Sequence, residues 1–320
     1  MRSTDAVTGA DFVTGWSVGA VALVAVLVLL VPYLLVWVRA RRTSGQQGPA
    51  SVGRLLLYLT AGVGTFVYAV LGPLQTYRTQ LYWVAALQVA VLAYITPLGL
   101  ALGDPLRVAA GARGKPTSTP RLLRSLPARL VMFPAVSSLL AIGSVLVVFL
   151  TPYLEASMRT GAVEVLLVVQ LVGTGSVFVV PLVTEELLPR WASPGVRVVI
   201  AFVDGLLDAI PGIVVMTSAA LLAPGFPGFQ ADGHGLGDPH FDQQLAGGLL
   251  LAVSEVVGLP LIGVVFLEWM RSDEQAAAAA DAVLDTPPNP ASADSAAPGQ
   301  STLWWEGDPR FRGRFRPDRP

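Results

Sequence analysis

Asp204 and Asp208 stand four residues apart in FVDGLLDAIPGIVV, inside a run that is otherwise apolar from Val198 to Ala223. A carboxyl group there can carry a proton, hold a hard cation or act as a hydrogen-bonded strut, and at membrane depth the functional roles are the first to weigh. Glu255 occupies a second such run, and Gln88, Gln170 and Glu164 occupy two more. Pro211 and Pro260 follow Asp208 and Glu255. A helical proline frees the carbonyl four residues earlier, here that of Leu207 or Val256, so each acid lies beside a break in its own helix. A different concentration of ligand types lies in PGFPGFQADGHGLGDPHFDQQ, residues 224–244, where His234 and His240 accompany Asp232, Asp238 and Asp242. That set could hold a divalent metal; the bland alternative is a solvated Gly/Pro-rich loop without regular structure.

The elements that must position these groups are membrane spans. The 320 residues are 53% hydrophobic and only 13% charged, about half the charged share of a soluble domain. Seven apolar stretches can cross a hydrocarbon core of about 30 Å: Gly15 to Val38, Leu55 to Leu71, Leu81 to Gly103, Leu130 to Leu150, Val163 to Val183, Val198 to Ala223 and Ala246 to Leu267. The second is the shortest. An all-α, seven-helix polytopic membrane protein is expected, with an extracytoplasmic N-terminus (1–14), a transmembrane domain (15–270) and a cytoplasmic, largely disordered tail (271–320). Basic residues set the orientation. With the N-terminus outside and the C-terminus cytoplasmic, only Arg2, Arg78 and Arg159 of the 21 basic residues fall outside. The first span reads as a retained helix rather than a cleaved signal, because Arg-Ala-Arg-Arg follows it directly.

Depth separates the two aspartates. Counting from Arg197, Asp204 lies about 10 Å from the inner boundary and Asp208 about 16 Å, near the midplane. Arg197 is two turns from Asp204 and can screen it. No Lys or Arg lies within a span, and a charge at the midplane costs about 3 kcal/mol on insertion scales, so a neutral Asp208 is the expected resting form. Cysteine is absent, which excludes disulfides and thiolate metal sites. No nucleophile–base pair or phosphate-binding loop occurs in the spans, so no enzyme is expected, and no nucleic-acid partner. The tail's Arg/Phe alternation, RFRGRFRPDRP, suits anionic lipid or a partner only if it is ordered.

The segment DPHFDQQLAGGLLLAVSEVVGLPLIGVVFLEWMRSDEQAAAAADAVLD resembles the end of the CtaG-like cytochrome c oxidase assembly factors, seven-span bacterial membrane proteins. Asp242, Gln243, Glu255, Trp269, Arg271, Asp273 and Glu274 match the family pattern. GPLQTYRTQLYWVAALQVAVLAYITPLGLALGDPL and DAIPGIVV continue the likeness upstream, over about residues 50 to 285. The resemblance implies copper handling during maturation of a haem-copper oxidase, through histidines in the spans. Those histidines fall here on Ala85, Val89, Glu164, Val168, Gln170 and Asp208. Cu(I) prefers sulfur and imidazole, so copper among the spans is not expected. The outer-loop set of His234, His240, Asp238 and Asp242 remains as a weak alternative.

Three functions follow as expectations. The first is a diverged accessory factor for oxidase biogenesis in the cell membrane, partnered by lipid and by oxidase subunits or other assembly factors. The second is a small cation- or proton-coupled transporter using Asp208 and Glu255, with Glu164 if the three acids face one another. The third is a structural protein whose buried acids only join helices.

Overall fold

The computed structural model describes residues 11–44, 50–114, 125–183, 194–230 and 238–284. Among the described residues every regular element is helical. Six helices are long and apolar enough to cross a membrane, and a seventh span results if one bent pair counts as a single crossing. We number them α1 (Ala20–Ser44), α2 (Val52–Tyr77), α3 (Tyr82–Ala112), α4 (Pro134–Leu150), α5 (Gly161–Val183), α6 (Pro194–Thr217) and α7 (Pro239–Leu284). The doubtful crossing is α4, not α2. At 17 residues it rises about 25 Å, and the chain then bends 70° into the short helix Tyr153–Arg159. By contrast α2 extends well past its apolar core, to Tyr77.

Two compact units divide the chain, Met1–Trp269 and Met270–Pro320. Of the second unit only Met270–Leu284, the last stretch of the 46-residue α7, lies within the described residues. The remaining tail, residues 285–320, lies outside them, as do His234 and Asp232.

Proline and aspartate punctuate the helices. Pro73, Pro105, Pro134, Pro194, Pro227 and Pro239 each open a helical segment, where the missing N–H would have no helical partner anyway. Asp104 sits at φ 47° in the left-handed region, which aspartate tolerates better than most residues. Its carboxyl caps the segment that follows by accepting from the Arg107 N–H at 3.2 Å. The described ends of the 224–244 loop, residues 224–230 and 238–244, are more regular than its composition suggests. Pro227–Gln230 forms a helical turn, and Asp238 caps α7 by accepting from the His240 N–H at 2.9 Å.

Helices surrounded by lipid gain nothing from hydrophobic association with one another, so close packing and interhelical hydrogen bonds must hold the bundle. Gly99 of α3 lies directly on the α2 backbone: an added Cβ would sit 2.1 Å from the Ala61 carbonyl carbon. Gly212 of α6 and Gly247 of α7 form another such crossing, where a Cβ on Gly247 would come 2.3 Å from the Met216 nitrogen, and a Cβ on Gly175 of α5 would meet the Ala93 carbonyl oxygen of α3 as closely, at 2.2 Å. At one end Tyr33 of α1 stacks on Tyr58 of α2 at 3.6 Å and donates to the Gly103 carbonyl at 2.8 Å. Thr65 and Thr96 pair their hydroxyls across α2 and α3 at 3.0 Å.

Gly99→Val forces backbone atoms apart, and no rotamer relieves the clash. We expect loss of monodisperse protein on size-exclusion chromatography in mild detergent, whereas Gly143→Val, whose added Cβ meets nothing within 4 Å, elutes like the parent. Equal behaviour of the two variants would show that the α2–α3 crossing is not as tight as drawn.

Candidate functional site

The polar groups of the spans separate into three sets. The largest begins where Pro73 starts its helical segment. Because proline has no N–H, the carbonyl of Ala69 four residues earlier lacks a helical donor, and Gln88 of α3 supplies one from Nε2 at 2.7 Å. The same amide nitrogen donates to Gln75 Oε1 at 2.7 Å, and Gln75 Nε2 donates to Glu164 Oε1 of α5 at 2.5 Å. Arg78, in the turn between α2 and α3, donates from Nη1 to the same Glu164 oxygen at 3.2 Å and from Nη2 to Ser157 Oγ at 2.6 Å. Ser157 then donates to the Leu154 carbonyl at 2.6 Å. An ionised carboxylate only accepts, so Glu164 fixes the direction of the chain. The Gln75 amide must turn its nitrogen to Glu164 and its oxygen to Gln88.

Gln88 is 1% exposed and Arg78 2%. Burial pulls the Arg78 guanidinium below its usual pKa, and Glu164 opposes that shift. Its Nε has no partner among the described residues. Sequence reasoning used Arg78 only as an exception to the charge count. The missed signal was its place directly after the PLQTY segment, in a turn too short to carry the guanidinium away from the bundle.

The second set surrounds Asp208. Asp204 and Asp208 are 5% and 9% exposed. The electrostatic neighbours of Asp208 are Asp204 on its own helix and Glu255 on α7; those of Tyr94, in the π-helical turn Val91–Ile95 of α3, are Asp208 and Asp204. Ser138 of α4, whose hydroxyl donates to the Pro134 carbonyl at 2.8 Å, lies beside the Asp204 carboxyl, whose Oδ1 has no partner among the described residues. Four helices therefore converge on these acids. Glu164 does not join them, because it belongs to the Arg78 chain. The expected screening by Arg197 falls on a side chain outside the described residues.

The third set is Gln170 of α5, which donates from Nε2 to Ser144 Oγ of α4 at 2.9 Å, with Thr174 donating to the same hydroxyl at 3.2 Å. It ties α4 to α5 and touches neither other set.

The Asp-Gln pair at the start of α7 is structural. Asp242, 3% exposed, accepts from the Tyr82 N–H at 3.0 Å and the Trp83 N–H at 2.8 Å. It thereby caps the first turn of α3, whose N–H groups have no helical acceptors. Gln243, 1% exposed, accepts from the Leu222 N–H at 2.8 Å and donates to the Ala220 carbonyl at 3.1 Å, closing the turn after α6. As metal ligands, then, Asp238 and Asp242 are already committed to helix caps, His240 is exposed, and no group of three acidic or histidine side chains able to hold a metal occurs among the described residues. At the other end of α7, Trp269 lies over Gly195, 3.5 Å from where a Cβ would stand, and meets Phe266 edge-on at 5.8 Å. Arg271 and Asp273 lie on the exposed surface of the same helix.

Of the positions that correspond to the resembled family's histidines, Ala85 and Val89 are buried at 0% exposure and, like Val168, offer no ligand atom. Glu164 and Gln170 hold other side chains, and Asp208 lies in a different set.

Residues 31–272 match the family described as cytochrome c oxidase caa3 assembly factor. The chain is 24% identical over 284 residues to an uncharacterized protein of Mycobacterium leprae (strain TN), covering 86% of this chain and 42% of that one. It thus spans about two fifths of that relative's length. No solved structure matches.

Asp242→Ala leaves the buried Tyr82 N–H and the half-buried Trp83 N–H of α3 without acceptors and should lower stability by about 2 kcal/mol, read as a drop in thermal midpoint in detergent. His240→Ala should leave the midpoint unchanged. An undiminished midpoint for Asp242→Ala would show that the capping contributes nothing.

Proposed function

The chain belongs to the cytochrome c oxidase caa3 assembly factor family, and from that premise we propose that it serves haem-copper oxidase biogenesis as a membrane scaffold or accessory factor, without carrying copper among its spans. It would act in the cell membrane with its N-terminus outside, against oxidase subunits or other assembly factors. The match across residues 31–272 carries the assembly role. The scaffold part is supported by the chemistry of the side chains: Ala85, Val89 and Val168 bring no donor atoms, and the Gln88 amide nitrogen and Glu164 Oε1 are engaged within the bundle. Neither cysteine nor a histidine within the seven apolar stretches supplies the soft ligands that Cu(I) prefers. No enzymatic activity is proposed.

Deleting the gene should lower assembled haem-copper oxidase several-fold, measured by reduced-minus-oxidised spectra and oxygen consumption of membranes, and added copper should not restore it. Unchanged oxidase in copper-replete and copper-limited cells would refute the assembly role. Rescue by copper would refute the scaffold and restore a carrier.

A second reading, a cation- or proton-coupled transporter, draws support from the convergence of Asp204, Asp208 and Glu255 with no basic side chain among Asp208's principal electrostatic neighbours. On this reading Asp208→Asn should abolish cation or proton flux in proteoliposomes. Absence of flux in the parent protein would dismiss it.

A further inference from the structure

The Arg78 chain has one open side. Glu164 Oε1 accepts from both Gln75 and Arg78, while Oε2 accepts from no donor among the described residues, although the side chain is 31% exposed. That carboxylate lines a cavity of about 370 Å³ between the start of α1, the end of α2 and the start of α5. This volume falls in the range of about 300–1,000 Å³ typical of small-ligand sites, which are mainly apolar with a few placed polar groups.

The lining is ordered by depth. Ser17, Gln75 and Glu164 occupy one end, and Ala25, Phe66 and Val168 the other. Along α5, Val168 lies four residues past Glu164, about 6 Å further along the helix. On α1 and α2 the same sense holds: Ala25 lies beyond Ser17 along the chain, and Phe66 precedes Gln75 on a helix running the opposite way. A polar end over an apolar shaft, bordered by the exposed side chains of Val18, Val21, Val165 and Val169 on the outside of the bundle, has the amphipathic profile of a bilayer lipid. The Arg78–Glu164 pair is neutral overall, so it offers little attraction to a bare cation. What it offers is a directional acceptor, which a hydrogen-bond donor satisfies and a methylated ammonium cannot. A charged N–H donor makes the stronger bond to a carboxylate.

We propose that this cleft binds a phospholipid with a primary ammonium head group, of the phosphatidylethanolamine class. The ammonium donates to Glu164 Oε2, and one acyl chain lies along Ala22, Ala25, Phe66 and Val168. The site is independent of any role in oxidase assembly and uses none of the acids around Asp208.

The test uses the full chain, delipidated in detergent and then offered phosphatidylethanolamine, phosphatidylcholine or phosphatidylglycerol of matched acyl chains, with retained lipid counted by native mass spectrometry. One phosphatidylethanolamine should be kept per protein, at least tenfold in preference to the other two. Glu164→Gln should lose that preference. Ala22→Phe, which fills the cleft without touching the polar chain, should lose the bound lipid while keeping the parent's circular dichroism. Equal retention of phosphatidylcholine would show that only apolar packing is at work, and equal retention of phosphatidylglycerol would exclude the ammonium class. Undiminished retention in Ala22→Phe would place the lipid elsewhere.

Discussion

A hydrocarbon surround offers no hydrogen bonds, so a polar group buried in this bundle must find its partner on another helix. The Arg78–Glu164 pair is where that constraint is met at greatest expense. A guanidinium at 2% exposure is tolerable only if its charge is balanced and its protons are accepted, and the acceptors come from α5 and from the bend after α4. Placing Arg78 therefore places α5 against the α2–α3 turn. Once Glu164 is held there, its single polarity dictates the orientation of Gln75, then of Gln88, and finally caps a carbonyl that Pro73 had orphaned. One ion pair thus fixes the relation of three spans, and the glycine crossings at Gly99 and Gly212 set how closely the helices meet.

This arrangement also explains which features were legible in the sequence. Apolar runs reveal spans because hydropathy is a local property, and the acids of α6 and α7 stood out because few such groups occur in apolar runs. That Asp204, Asp208 and Glu255 converge was not legible, since it depends on how α3, α4, α6 and α7 cross. The role of Arg78 was not legible for a related reason: a charge count assigns a side of the membrane and says nothing about whether the side chain turns inward. The aspartates near His240 suggested ligands because capping and coordination use the same carboxylates. Only the position of Asp242 beneath the first turn of α3 distinguishes the two uses.

The separation of the polar sets bears on what the protein can do. Glu164 Oε1 and Gln88 belong to a chain of linked donors and acceptors that holds three spans together, and among the described residues its outer carboxylate oxygen is left open. Around Asp208 the opposite holds. Among the described residues Asp204 keeps an oxygen without a partner, and the groups that act on one another there are acids and a phenol. The π-helical turn that carries Tyr94 is a local irregularity of the kind often found at functional sites. Chemistry that needs a labile proton has its natural place there, and structural locking has its place at Arg78.

Family likeness then has two components that need not travel together. The matching residues whose contacts are visible, Asp242, Gln243 and Trp269, cap α3, close the turn after α6 and pack on the start of α6. They preserve the geometry of the bundle. Where the resemblance would place histidines, Ala85 and Val89 face the interior that this geometry creates and fill it with hydrocarbon, and Val168 lies half-buried at its edge. A helix cap cannot be lost without disturbing the fold, whereas an imidazole in a packed interior can be exchanged for an apolar side chain if the volume is made good. Resemblance in the clamps therefore transmits architecture, and with it a surface that partners can recognise, while metal chemistry depends on residues that the clamps do not constrain.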